Sequence, residues 1–145
     1  MTRLPAPPAR QSALALLTQA RRALVEASTV DRPAERYSAA HLAALRAAAA
    51  ILAARARPAA AGARRPSRPT SAWTLLCAVA PEMAEWAGFF AAGAAKRAAA
   101  EAGMPRAVTA READDLLRDA ETFLAVVETS LGQIVQPLLT VAGHR

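Results

Sequence analysis

Alanine is the commonest residue of this chain and recurs in unbroken runs, such as residues 47–50 and 98–100. An alanine loses no side-chain rotamer freedom when it enters a helix, and the β-branched residues that favour strands are sparse here. A chain of this composition becomes helical wherever proline and glycine permit. We therefore predict an all-α fold, a bundle of four long helices plus a short extra helix.

The chain has 145 residues, a length typical of one domain. Helices of about 20 residues span about 30 Å each, so four of them would use most of the chain. Large core side chains are few, and Trp73, Trp86, Phe90 and Phe123 are the main ones. The helices should therefore approach closely through contacts lined by alanine.

Prolines, glycines and capping residues mark the helix boundaries. We expect a disordered tail over residues 1–11, a basic loop rich in proline and glycine over 58–69, and an apolar C-terminal segment and tail over 132–145. Between them, the apolar spacing predicts helices over residues 12–27, 33–57, 72–79, 81–102 and 109–131. Gly103 and Gly132 are the expected ends of the last two helices.

The clearest local signal is Thr109-Ala110-Arg111-Glu112. A threonine followed three residues later by a glutamate is typical of a capping box, in which each side chain accepts a hydrogen bond from the other residue's backbone N–H. The last long helix should therefore begin at Thr109.

Several classes of site are excluded by composition. Cys77 is the one cysteine, so no intramolecular disulfide can form, and one cysteine with two histidines cannot build a conventional structural zinc site. We expect Cys77 to be buried, and we predict no metal and no cofactor.

The most apolar stretch, residues 72–95, contains Pro81, Glu82 and Glu85, which argues against a membrane span. Without a secretory leader pattern, the cytoplasm is the expected location.

Charge is unevenly distributed along a chain whose net charge is +6. Residues 31–69 hold eight arginines against two acids, whereas residues 108–145 hold three arginines against six acids. The basic cluster is a candidate nucleic-acid-binding surface that would contact the phosphate backbone, and it consists of Arg55, Arg57, Arg64, Arg65 and Arg68. No aromatic residue lies among the arginines, so base stacking is not provided for. A solvated loop in an arginine-rich proteome explains the same cluster equally well, because a run of charges alone specifies little.

Two further groups have competing interpretations. The acidic helix suggests metal binding through Asp114, Asp115, Asp119 and Glu121. Asp115 and Asp119 share one face, but no histidine or fourth ligand is evident nearby, so a solvated face is favoured. The aromatic residues Trp86, Phe89 and Phe90 are interpreted as core or as a dimer interface rather than as a ligand site.

His41 is the main catalytic candidate, because an imidazole titrates near neutral pH. It lies on the same predicted helix face as Tyr37 and Leu45. The alternative is a packing histidine whose ring N–H reaches a backbone or water partner.

The segment DRPAERYSAAHLAALRAAAAILAARARP, a tryptophan-bearing helix and the helix EADDLLRDAETFL follow one another in this chain. This order resembles the HEPN superfamily (higher eukaryotes and prokaryotes nucleotide-binding), in its small actinobacterial branch, over residues 12–131. The resemblance implies an up-and-down helical bundle that forms a homodimer. It also implies an association with RNA or nucleotides, in some members within toxin–antitoxin systems beside a nucleotidyltransferase-type antitoxin.

Active HEPN proteins are metal-independent ribonucleases that use an arginine followed, after four to six residues, by a histidine. Arg36 and His41 match that spacing, and the resemblance makes them the catalytic pair. Two features depart from the pattern, because the pair opens the second helix rather than a later one and because Tyr37 replaces the usual polar residue. We therefore expect a non-catalytic module that associates with RNA or nucleotide or with itself. The alternatives are a dimeric ribonuclease and a structural adaptor for a protein partner.

Overall fold

A computed structural model describes residues 7–55, 69–104 and 106–135, and every regular element in these ranges is helical. The elements are α1 (Pro7–Ser28), α2 (Pro33–Arg55), α3 (Pro69–Val79), a 3₁₀ turn (Pro81–Met83), α4 (Ala84–Ala92), α5 (Ala94–Glu101) and α6 (Ala110–Val135). The predicted all-α class is confirmed. The expected structure of residues 1–6, 56–68 and 136–145 lies outside the described residues.

Contacts at both ends of α2 fix the topology of the bundle. Near the start of α2, Arg36 pairs with Asp114 on the first turns of α6. Near its end, Arg55 Nη2 donates to the Ser130 hydroxyl at 3.1 Å. Helices α2 and α6 therefore run parallel, and the segment from α3 to α5 returns the chain between them. A short turn makes α1 antiparallel to α2.

The core has a part lined by alanines and a part lined by aromatic rings. Helix α2 supplies the alanine-lined part, in which the completely buried residues include Ala40, Ala47, Ala48 and Ala50. The aromatic part gathers rings from α3, α4 and α6. Phe90 lies 5.2 Å from Trp73 and 5.2 Å from Phe123, between ring centroids, and Trp86 lies 5.4 Å from Phe123. Small residues thus let α1, α2 and α6 approach closely, while aromatic rings fill the wider space under α3 and α4.

Two helices begin earlier than predicted. Helix α1 begins at Pro7 rather than at residue 12, and α3 begins at Pro69 rather than at residue 72. The reason is the same in both cases. A proline in the first turn of a helix lacks an N–H that would have no partner there, and its fixed φ suits the helix. These prolines therefore start helices within segments that the sequence predicts as a tail and a loop.

The glycines differ in their effect on the helices. The predicted helix over 81–102 is divided at Gly93, where α4 ends and α5 begins. Gly103 has φ +78° after the end of α5, as the sequence predicted for a helix C-terminus. The prediction that Gly132 ends α6 is wrong, because the helix continues to Val135. Leu131 is buried beside Gly132, so packing keeps this turn helical.

Three other predictions have clear outcomes. The capping box is confirmed: the Glu112 N–H donates to Thr109 Oγ1 at 3.1 Å, and the Thr109 N–H donates to Glu112 Oε1 at 2.9 Å. The prediction that Cys77 is buried is wrong, because Trp73, Leu76 and Ala80 are the residues of α3 that face the core and the thiol is exposed.

The third outcome concerns membrane spans. Among the described helices, α2 has the length and the mean hydropathy, 1.3, of a candidate span. The bundle buries 56% of that window, so core packing accounts for its apolar character.

Candidate functional site

His41 lies inside the core. Its side chain is 1% exposed, and its ring meets Trp73 and Phe90 edge-to-face, with centroids 6.0 Å from each. The imidazole Nε2 is 2.9 Å from the carbonyl oxygen of Phe90. This is the alternative that the sequence left open, a packing histidine with a backbone partner.

The division of the helix at Gly93 explains why the Phe90 carbonyl is available. Inside a continuous helix this oxygen would accept the N–H four residues later. Here it accepts the Gly93 N–H three residues later, at 3.1 Å, and the His41 ring. Gly93 also lacks a side chain where space is short, since a Cβ there would lie 3.0 Å from the Tyr37 hydroxyl.

The hydrogen bond to Phe90 determines which imidazole nitrogen of His41 carries the hydrogen. A carbonyl oxygen only accepts, so Nε2 carries the hydrogen and Nδ1 of the neutral ring keeps a lone pair. Nδ1 is buried and has no partner among the described residues. Burial is the main cause that lowers the pKa of His41, while the bond to the Phe90 carbonyl opposes it. The neutral ring is therefore the form that the fold favours.

Arg36 stabilises the α1–α2 turn through hydrogen bonds to its backbone. Its Nη1 donates to the carbonyl oxygens of Val30 at 2.6 Å and of Asp31 at 3.2 Å. Its Nε lies 3.0 Å from Asp114 Oδ1, and the side chain is largely buried. The guanidinium thus ties the turn to the start of α6.

Arg36 and His41 do not share a partner within this chain. Five residues along a helix correspond to a rotation of about 140°, so the two side chains leave α2 in different directions. Arg36 contacts the turn and Asp114, whereas His41 contacts α3 and α4. Their catalytic role stays a prediction from the resemblance.

An open cleft of about 500 Å³ lies where α2, α4, α5 and α6 meet. Its floor is apolar and includes Phe90, Gly93 and Leu116, and His41 belongs to its lining. Phe89 stands at its edge with 47% of its surface exposed, one of the few large apolar side chains outside the core. We call this the α4–α6 cleft.

The polar lining of the α4–α6 cleft is mainly acidic. Lys96 is neutralised by its ion pair with Glu112, which lowers the pKa of that carboxyl. Asp115 and Asp119 complete the acidic wall, one helical turn apart on α6. Burial, followed by repulsion from Asp115, raises the pKa of Asp119. Such a cleft repels phosphate and attracts cations. No group of three or more ligating side chains able to hold a metal occurs among the described residues.

The predicted basic surface is only partly described. Arg55 forms an ion pair with Glu82, its Nη2 lying 2.5 Å from the carboxylate, in addition to its bond to Ser130. This arginine joins the end of α2 to the 3₁₀ turn and to α6. Arg57, Arg64, Arg65 and Arg68 lie outside the described residues, so their nucleic-acid role stays a prediction.

The sequence provided a partial signal for the cleft. The spacing of Asp115 and Asp119 placed them on one face, and Phe89 was interpreted as core or interface. Nothing in the sequence showed that the exposed ring and the two carboxylates would line one cavity, because they belong to different helices.

The chain was compared with known protein families. Residues 27–128 of the chain match the family described as HEPN_SAV_6107-like HEPN. This range contains everything from the end of α1 to most of α6, and thus includes Arg36, His41 and the α4–α6 cleft. No curated protein and no solved structure matches the chain.

Proposed function

The chain belongs to the HEPN superfamily, in its SAV_6107-like family, and on this premise we propose that it is a non-catalytic HEPN module that acts by binding a protein partner. The protein would act in the cytoplasm. Of the roles that the sequence left open, we favour that of an adaptor for a protein partner over ribonuclease activity and over RNA binding.

One observation carries the non-catalytic part: the burial of His41 and its bond to the Phe90 carbonyl. A general base must come within hydrogen-bond distance of the hydroxyl that it deprotonates. A ring that is 1% exposed and enclosed by Trp73 and Phe90 has no such access. Arg36, the other member of the pair, is engaged by the α1–α2 turn and by Asp114.

The choice of a protein partner rests on the described surface. Exposed aromatic rings beside a cavity are enriched at protein interfaces, and Phe89 is such a ring. Phosphate binding has less support there, because two described arginines that line cavities pair with a carboxylate, Arg55 with Glu82 and Arg21 with Glu128. A second copy of the chain is one possible protein partner, in line with the expected homodimer.

The ribonuclease remains the second candidate, because the spacing of Arg36 and His41 fits the motif and the family is shown. It requires α4 to move away from α2 so that His41 reaches solvent. RNA association through Arg57, Arg64, Arg65 and Arg68 is a further proposal of the same rank. A nucleotidyltransferase-type antitoxin would be a protein partner of the kind proposed here.

A direct test is metal-free incubation of the purified chain with single-stranded RNA, alongside the His41→Gln variant. We expect no cleavage above buffer from either protein. Cleavage by the wild-type chain that disappears in a folded His41→Gln variant would overturn the non-catalytic proposal.

The binding part is tested by a photocrosslinking amino acid placed at position 89 in the cell that expresses the protein. We expect adducts that protease removes and ribonuclease leaves intact. The matched control carries the same amino acid at position 121, an exposed site on α6 outside the α4–α6 cleft. Ribonuclease-sensitive adducts, or equal adducts at both positions, would contradict a protein-binding cleft.

A further inference from the structure

We propose that the α4–α6 cleft binds the guanidinium group of an arginine side chain presented by a protein partner, with Phe89 against its flat face and Asp115 and Asp119 as its acceptors. This inference rests on the proposed function and deepens it, because it names the chemistry of the partner at the same cleft.

The α4–α6 cleft is large enough to hold one long side chain. Its volume of about 500 Å³ lies within the range for ligand pockets. Phe90 and Leu116 are both buried and give it an apolar floor, on which the methylene groups of a long side chain can pack. Phe89 of α4 lies at the edge of this floor, with nearly half of its surface exposed to solvent.

The two aspartates of the wall lack a strong partner. Asp115 has only a distant ion pair, with Arg111 Nε at 4.0 Å, and Arg111 is almost completely exposed. Asp119 forms no ion pair with any described residue. Two like charges one turn apart on a helix destabilise each other, and burial and Asp115 both raise the pKa of Asp119. A cation between them would remove this repulsion and keep both groups ionised.

The arrangement favours arginine over other cations. A guanidinium is planar, so it can stack on an aromatic ring while its N–H groups donate to carboxylates at its edge. An ammonium group of lysine is a compact point charge that does not match both features. A phosphate is disfavoured, because the one cationic group in the lining, Lys96, is already paired with Glu112.

The experiment is a titration of the isotope-labelled full chain, followed by two-dimensional NMR, with the blocked tripeptide acetyl-Gly-Arg-Gly-amide. The control peptide has citrulline, which keeps the shape of arginine and loses its charge. We expect saturable shifts of the Phe89, Gly93 and Asp119 amides at millimolar concentrations of the arginine peptide. The citrulline peptide should bind at least tenfold more weakly, and the corresponding lysine peptide severalfold more weakly.

Matched variants assign the binding to particular side chains. The double variant Asp115→Asn/Asp119→Asn should lose at least tenfold in affinity. Glu121→Gln removes one negative charge from the same helix on a face away from the cleft, and it should retain most of the affinity. Phe89→Leu keeps an apolar side chain and removes the ring, so a severalfold loss would report stacking on the aromatic face. Circular dichroism of each variant confirms that the bundle is intact.

Three outcomes of the peptide titrations would overturn the inference. These are equal binding of the arginine and citrulline peptides, equal losses in Glu121→Gln and the double variant, and a failure of the arginine peptide to shift the cleft amides. Shifts of the same amides with protein concentration alone would assign the cleft to a second copy and would also overturn it. If position 89 still crosslinks to protein while the arginine peptide fails, the proposed function stands and only this inference falls.

Discussion

The imidazole Nε2 of His41 donates to the carbonyl oxygen of Phe90 at 2.9 Å, and this bond joins α2 to α4 three residues before the helix is divided at Gly93. The Phe90 carbonyl oxygen accepts the Gly93 N–H as well as the imidazole N–H, and the nearby Tyr37 hydroxyl leaves little room for a side chain at position 93.

Stability should depend on pH through His41. The pKa of a histidine in the unfolded chain is about 6.5, and burial lowers the pKa of His41 in the folded protein. On α5, Arg97 adds to the lowering and Glu101 opposes it. Between the two pKa values the unfolded chain binds more protons, so stability is complete above about pH 6.5 and is lost as the pH falls towards the folded pKa.

We expect the urea midpoint of the wild-type chain to fall between about pH 7.5 and pH 5.5. In the His41→Gln variant, which cannot take up a proton at this position, the fall should be much smaller. The same dependence in both proteins would show that His41 does not titrate with unfolding.

Gly93 should resist replacement by alanine. A Cβ at this position would lie 3.0 Å from the hydroxyl of Tyr37, a buried residue, so Tyr37 or the helix must move. We expect Gly93→Ala to lower the free energy of unfolding by about 1–3 kcal/mol, as overpacking does in a filled core. Urea denaturation measures this change.

Gly88 provides the control for this substitution. It lies in α4, is exposed, and has no atom within 4 Å of an added Cβ. Gly88→Ala should stabilise the chain by about 0.5–1 kcal/mol through helix propensity alone. Stabilisation by both substitutions would mean that the close approach at Gly93 carries no cost.

The large side chains of α6 should dominate the stability of the core. Phe123 is completely buried against the other rings, and Leu116 is 5% exposed. We expect Phe123→Ala and Leu116→Ala each to cost about 2–5 kcal/mol, because truncating a large buried side chain leaves a cavity that the surrounding helices fill only in part. Leu14→Ala, at a position that is 50% exposed, is the control and should change the unfolding free energy far less.

The capping box should make a measurable contribution at the start of α6. Thr109→Ala removes the oxygen that accepts the Glu112 N–H, and the expected cost is about 1 kcal/mol. Thr109→Ser keeps the hydroxyl and should stay close to the wild type in thermal and urea denaturation. Equal losses in the two variants would indicate that the methyl group, and not the hydroxyl, stabilises this end of the helix.

The helices could be predicted from the sequence to different degrees. The capping box at Thr109 and the C-terminal position of Gly103 were predicted correctly, because both depend on residues within one helical turn. The starts at Pro7 and Pro69 were missed because a proline both ends and begins helices, and the choice depends on the residues that follow. Gly132 was misassigned because the packing of Leu131 overrides a local preference.

The sequence by itself determined the helical class, the caps and the membership of the HEPN superfamily, since alanine content, capping spacing and motif order are properties of the chain read along its length. Only the tertiary structure decided that His41 bonds to Phe90, that Arg36 pairs with Asp114, and that Phe89 shares a cleft with Asp119. The physical reason is that helix propensity acts over a few neighbouring residues. The surroundings of a side chain, in contrast, depend on how helices distant in sequence pack together.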